Sequence, residues 1–232
     1  MNMSRNMQVE YIKTLGYVLK RVNYGEADRI LNIITPKGKL SAIARGVRKD
    51  KSKLAGGVEL FSLTEFNIRL GRGELGLVTG AKMIKFYGNL LKDFPKMELA
   101  ASILKKINVL AEHSDSSEYF EIVDQSLEGL SKGLENDLVE AWVLINLLKT
   151  SGEEINLYRD VDGKKLSADK SYNYDVVERA MIEAVSGDFK AEEIKLLRLM
   201  MLTRLEVVAR VKGVLQILPK VLWLARIASG AV

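Results

Sequence analysis

The chain has 232 residues, 47% of them hydrophobic and 28% charged, an ordinary globular composition that excludes disordered, collagen-like and coiled-coil classes. Thirty-five Lys and Arg against 30 Asp and Glu leave a net charge of +5, a mild bias toward a polyanionic partner. With no cysteine and one histidine, His113, disulfides, thiol nucleophiles and Cys- or His-rich metal centres are excluded, so neither a metal nor another cofactor is expected.

The first 13 residues are polar and lack the apolar core of a secretory signal, so a cytoplasmic protein is expected. Up to about residue 88, short apolar runs alternate with glycine and turn residues, which is a β pattern. Alternation around Tyr17, Leu19 and Arg21 predicts a first strand. Residues 30–35 make a second, closed by Pro36-Lys37-Gly38; residues 40–44, 60–70 and 77–86 make three more. Five strands in so short a stretch predict a small barrel, since closure removes the sheet edges. In the fourth strand Phe61 and Leu63 share one phase, and Phe66, Ile68 and Leu70 share the other. This predicts a bulge near Thr64-Glu65.

From Asn89 the period lengthens. Leu90, Leu91, Phe94, Met97, Ala101, Leu104, Ile107 and Ala111 recur every three or four residues, the stripe of a helix. Asp115 followed by Glu118 resembles a capping box opening a second helix through Tyr119, Val123, Leu127 and Leu130. Leu138, Ala141, Trp142, Ile145 and Leu148 predict a third, ending at Ser151-Gly152. A fourth is predicted over residues 176–184, and residues 194–208 read as one helix through the centre of a bundle. Residues 214–232 contain Pro219, Lys220 and Arg226, so a core or docking helix is favoured over a membrane anchor. The expected organisation is an α+β protein, with a barrel over residues 1–88 and a helical domain over residues 89–232. Residues 152–174 form a polar insertion.

Charge divides along the same line. Up to residue 88 there are 16 Lys and Arg against 7 acids; the remainder carries 19 against 23. Arg45, Arg48, Lys49, Lys51 and Lys53 fall within nine residues between the third and fourth strands, with Asp50 the one acid among them. A barrel with a cationic loop suits single-stranded nucleic acid, because each cation that replaces condensed counterions on phosphate gains the entropy of their release. An ordinary solvated loop is the alternative. Tyr17, Tyr24, Phe61, Phe66, Phe86 and Tyr87 are aromatic, yet most sit on phases that point into the core.

Gly71-Arg72-Gly73-Glu74-Leu75-Gly76 matches the dinucleotide-binding glycine pattern. That pattern requires a strand turning into a helix, and the next residues read as another strand, so a hairpin tip is predicted, with Arg72 available to phosphate. His113 has neither a second histidine nor a cysteine to work with, and no nucleophile has an identifiable base. An enzyme is not expected.

Residues 16–31, GYVLKRVNYGEADRIL, then residues 35–49, TPKGKLSAIARGVRK, then Lys53-Leu54-Ala55-Gly56 and Glu59-Leu60-Phe61, resemble the RecO family of DNA repair proteins. The likeness is close over residues 14–73; beyond them it lies in pattern alone. It implies an OB-fold barrel followed by an all-α helical domain. It also implies binding of single- and double-stranded DNA, annealing of complementary strands, action with RecR, and assistance to RecA on DNA coated by the single-strand-binding protein SSB, whose C-terminal tail would be a partner. Many members carry a four-cysteine zinc module in the helical domain. Here Asp160-Val161-Asp162-Gly163-Lys164 keeps a similar frame without thiolates, so no zinc is expected. The sequence thus points to a recombination mediator whose phosphate contacts are Arg45, Arg48, Lys49, Lys51, Lys53 and Arg72, with Arg21 and Arg69 behind them. The alternative is an OB-like adaptor binding acidic protein tails or a membrane surface.

Overall fold

The structure, a computed structural model, describes residues 10–71, 73, 75–113 and 117–230. Residues 10–86 form the expected barrel. Strands β1 (Glu10–Tyr24), β2 (Asp28–Thr35), β3 (Gly38–Ala44), β4 (Ser62–Leu70) and β5 (Leu75–Phe86) close in the order β1-β2-β3-β5-β4. All neighbours are antiparallel except β3 and β5. This is the OB-fold topology. The long β1 closes the barrel, pairing with β4 through its first half and with β2 through its second.

Alternation determines what faces inward: Val18, Leu31, Ile33, Ala42, Ala44, Phe66, Ile68 and Val78 form the barrel core. The bulge expected in β4 near Thr64-Glu65 is not there. Ser62, Thr64, Phe66 and Ile68 are buried in unbroken alternation, and the irregularities lie opposite, where β5 gains Ile84 and Thr79 against β4. Phe61 does not share the phase of β4 because it precedes the strand, in a left-handed turn conformation at φ 57°. A 3-10 turn, Ala55–Val58, closes one end of the barrel. Gly57 permits this, since a Cβ there would stand 2.6 Å from the Ala81 carbonyl oxygen.

Two compact units make up the chain, and residues 100–124 belong with the barrel in the first. They come from α1 (Phe94–Leu110) and the start of α2 (Glu118–Ser131). The Lys39 side chain is 7% exposed, and its ammonium donates to the Asn108 carbonyl at 2.6 Å and to Glu112 at 2.8 Å. A cation satisfies the free carbonyls of a helix C-terminus in this way. The capping box expected at Asp115 lies outside the described residues.

The second unit, residues 94–99 and 125 onward, is built around α3 (Asn136–Thr150), which is buried on most of its circumference. It packs against α4 (Ala191–Leu202) and α6 (Val214–Ala228). The indole of Trp142 donates to the Thr203 carbonyl at 3.1 Å, and Arg226 holds Glu140 through two hydrogen bonds of 3.0 and 2.6 Å. Residues 194–208 are not one helix: α4 stops at Leu202, Thr203 and Arg204 are extended, and α5 (Leu205–Val208) follows. No helix among the described residues is long and apolar enough to cross a membrane.

The polar insertion and the predicted fourth helix are instead a three-stranded sheet of β6 (Asn156–Asp160), β7 (Ser171–Asp175) and β8 (Ala180–Ala184), in the order β6-β8-β7. Residues 176–179 turn rather than coil, because the Asp175 carboxylate accepts from the amides of Val177 and Glu178 at 2.9 and 3.0 Å. An Asx turn of this kind ends β7 and returns the chain as β8.

Candidate nucleic-acid interface

The cationic segment is a chain of tight turns hung from the barrel by its apolar residues. Val47 is 2% exposed within the core, and Leu54 packs against the same cluster. Gly46, at φ 62°, starts the sequence of turns, and its amide donates to the Asp28 carboxylate at 2.7 Å. The Arg48 amide donates to the Ala27 carbonyl at 2.9 Å, Lys49 to Gly46 at 3.1 Å and Ser52 to Lys49 at 3.0 Å. Burying Val47 and Leu54 leaves Arg45, Arg48, Lys49, Lys51 and Lys53 exposed.

These five are not equivalent. Arg48 donates through its guanidinium to the carbonyls of Gly25 (2.9 Å) and Glu26, clasping the turn between β1 and β2. Arg45, Lys49, Lys51 and Lys53 have no ion pair among the described residues. Two of the surrounding acids are already engaged: Asp28 holds the Gly46 amide, and Glu59 holds Arg21 and Arg29. The loop therefore keeps a positive surplus that is not neutralised locally.

Of the secondary candidates, Arg69 stands exposed on the outer face of β4, opposite Tyr11 on β1 and Leu77 on β5. Arg72 lies outside the described residues. Arg21 is set apart from the rest. It pairs with Leu31, whose side chain is in the core, so it shares the inward phase at the barrel's end, where with Arg29 it binds the Glu59 carboxylate. Sequence reading had no signal for this cluster, since the three residues come from β1, β2 and the loop after the 3-10 turn. Tyr17, Phe61, Phe66 and Tyr87 are buried, while Tyr24 and Phe86 are 56% and 46% exposed.

The zinc frame can be tested on its donors. The Asp160 carboxylate, in a residue 7% exposed, accepts from the amides of Asp162 at 3.0 Å and Lys164 at 2.8 Å, and the backbones of Asp160 and Lys164 bond at 2.8 Å. Its acceptor capacity is directed at its own loop. No group of three His, Cys, Asp or Glu among the described residues could hold a metal ion, so the residues present do not fit a zinc module.

Residues 7–87 match the family model described as Recombination protein O N terminal. The chain is 35% identical over 147 residues to the DNA repair protein RecO of Acetivibrio thermocellus, covering 62% of this chain and 58% of that protein. It is 36% identical over 123 residues to RecO of Alkaliphilus metalliredigens, covering 52% and 50%. It is 30% identical over 163 residues to a RecO of Dehalococcoides mccartyi, covering 69% and 64%. The matched part thus spans between half and two thirds of the relatives' own length. The family model falls on the barrel, the same strands that carry the cationic loop. Residues 7–87 thus carry the amino-terminal domain of the RecO family, and the chain is similar to RecO proteins over between half and two thirds of their length.

Proposed function

We propose that this protein is a non-catalytic recombination mediator in DNA repair that holds single- and double-stranded DNA by the phosphates. The observation that carries the reading is the set of four exposed cations, Arg45, Lys49, Lys51 and Lys53, without ion-pair partners among the described residues and anchored on an OB barrel. The relatives' names, DNA repair protein RecO, support it. Binding of this kind is driven by counterion release and needs no base code. Annealing follows from the same physics: a protein that neutralises two backbones lowers the repulsion between complementary strands. RecR, the SSB tail and, indirectly, RecA are the partners this role would bring.

Titration of the purified protein with a labelled single-stranded oligonucleotide at two salt concentrations tests the reading. The expected result is binding that weakens steeply as salt rises; binding indifferent to salt, or none, contradicts it. Adding a synthetic acidic peptide with the sequence of an SSB tail discriminates the adaptor alternative: a mediator accommodates both ligands together, whereas a tail-binding adaptor releases one when it takes the other.

A further inference from the structure

A barrel wall has an inner and an outer face, and part of this outer face is apolar. Val22 on β1 is the cross-strand partner of Ile30 on β2, Ile30 of Ile43 on β3, and Ile43 of Leu77 on β5. Each lies on the phase opposite to the core residues Leu31, Ala42, Ala44 and Val78, so all four project outward. Cross-strand partners stand about 5 Å apart, which makes the row a continuous strip over four strands. Val22 is 46% exposed; Ile30, Ile43 and Leu77 are half-buried. Tyr24, on the same phase of β1 two residues beyond Val22, extends the strip with an exposed ring.

Cations rim this strip. Arg45 follows Ile43 by two residues, Arg69 is the partner of Leu77, and Arg48 grips the carbonyls immediately after Tyr24. Asp28, the partner of Tyr24, is engaged by the Gly46 amide. An apolar strip bordered by fixed positive charge fits a polyanion that also presents flat, weakly hydrated rings. Unpaired nucleotides have that chemistry. A duplex does not, because stacking covers its base faces and leaves only phosphates, sugars and the edges of the bases in the grooves.

We infer that Tyr24, Val22, Ile30, Ile43 and Leu77 form a base-contacting platform for single-stranded DNA. This rests on the DNA-binding reading and adds to it a discrimination of single from double strands. Phosphates of either form meet the loop cations; unpaired bases alone reach the strip. The non-electrostatic share of the affinity therefore belongs to the single strand.

The test uses the full chain and two labelled probes, an oligothymidine and a duplex of equal phosphate number, each titrated across a salt series. The variants are Tyr24→Ala, Tyr24→Phe and Val22→Ser, with Val177→Ser, exposed in the other unit, as the control. Because Tyr24, Val22 and Val177 are exposed, folding is retained, and thermal melts check this. Tyr24→Ala should weaken oligothymidine binding about tenfold at an unchanged salt slope, leave duplex binding within about twofold, and be rescued by Tyr24→Phe. Val22→Ser should act in the same direction, and Val177→Ser should change nothing. Undiminished single-strand binding by Tyr24→Ala and Val22→Ser overturns the inference and leaves the strip to a protein partner. Equal losses for both probes also overturn it while leaving DNA binding intact. A wild-type protein that binds neither probe overturns the function itself.

Discussion

The Tyr17 hydroxyl donates to the Asp124 carboxylate at 2.6 Å, joining β1 to the first turns of α2 across 107 positions of sequence. The Tyr87 hydroxyl stands 3.3 Å from the Tyr17 hydroxyl and the Phe120 ring 5.5 Å from the Tyr17 ring, so the pair sits in an aromatic pocket. Burial foremost, then the hydrogen bonds to Asp124 and Tyr87, pushes the Tyr17 phenol well above its ordinary range. Tyr17→Phe removes a donor to a charged acceptor and should lower stability by about 2 kcal/mol, read from denaturant midpoints at neutral pH.

The same phenol gives a pH prediction. Above the ordinary tyrosine value of 10.0, the unfolded chain releases the proton that the folded chain retains. Stability is thus fully present below that pH and falls as pH rises beyond it, at up to about 1.4 kcal/mol per pH unit from this group. Tyr17→Phe should show a shallower alkaline decline than the wild-type protein; identical slopes would show that Tyr17 ionises normally.

Arg48 and Lys51 share the cationic loop but should separate by stability. Arg48→Ala frees the Gly25 and Glu26 carbonyls and loosens the turn between β1 and β2, with an expected loss of about 1 kcal/mol. Lys51 has no such contact among the described residues, so Lys51→Ala should melt as the wild-type protein does while still weakening DNA binding. Equal melting temperatures for the two variants would remove the structural role assigned to Arg48.

Arg21 is expected to matter for the barrel and not for DNA. Its partner Glu59 also holds Arg29, so Arg21→Ala should cost at most about 1 kcal/mol and leave the salt dependence of DNA binding unchanged. A reduced salt slope in that variant would return Arg21 to the phosphate contacts.

Asp160 fixes its own loop, its carboxylate accepting from the amides of Asp162 and Lys164. Asp160→Ala strands the amides of Asp162 and Lys164 and should destabilise the second unit by about 1–3 kcal/mol. Chelator should leave the wild-type melting temperature where it is; a drop on chelation would reveal a metal the donors do not suggest.

The barrel was legible because β strands buried on one face write their period into the sequence: Leu31, Ile33, Ala42, Ala44, Phe66 and Ile68 alternate with outward residues, and Pro36-Lys37-Gly38 marks a turn. The one expected bulge falls on the wrong strand because an apolar residue facing outward, such as Leu63, looks in sequence like one facing inward. Residues 176–184 failed for a related reason. Val176, Val177, Ala180, Met181 and Ile182 satisfy both periods over so short a run, yet only Ala180 and Met181 are buried, and the deciding force is the turn at Asp175. In the candidate site, the clustering of cations was legible from their spacing. That Arg48 would bind backbone carbonyls and Arg21 a distant Glu59 was not, because backbone acceptors are invisible in sequence and the partners come from separate elements.

The most direct test is the slope of log affinity against log salt for single-stranded DNA, measured on the wild-type protein and on a variant with Arg45, Lys49, Lys51 and Lys53 all replaced by Ala. Weaker binding and a slope lower by about 0.7 for each phosphate contact removed is the result expected of a loop that meets the DNA backbone. An unchanged slope would show that the DNA lies elsewhere.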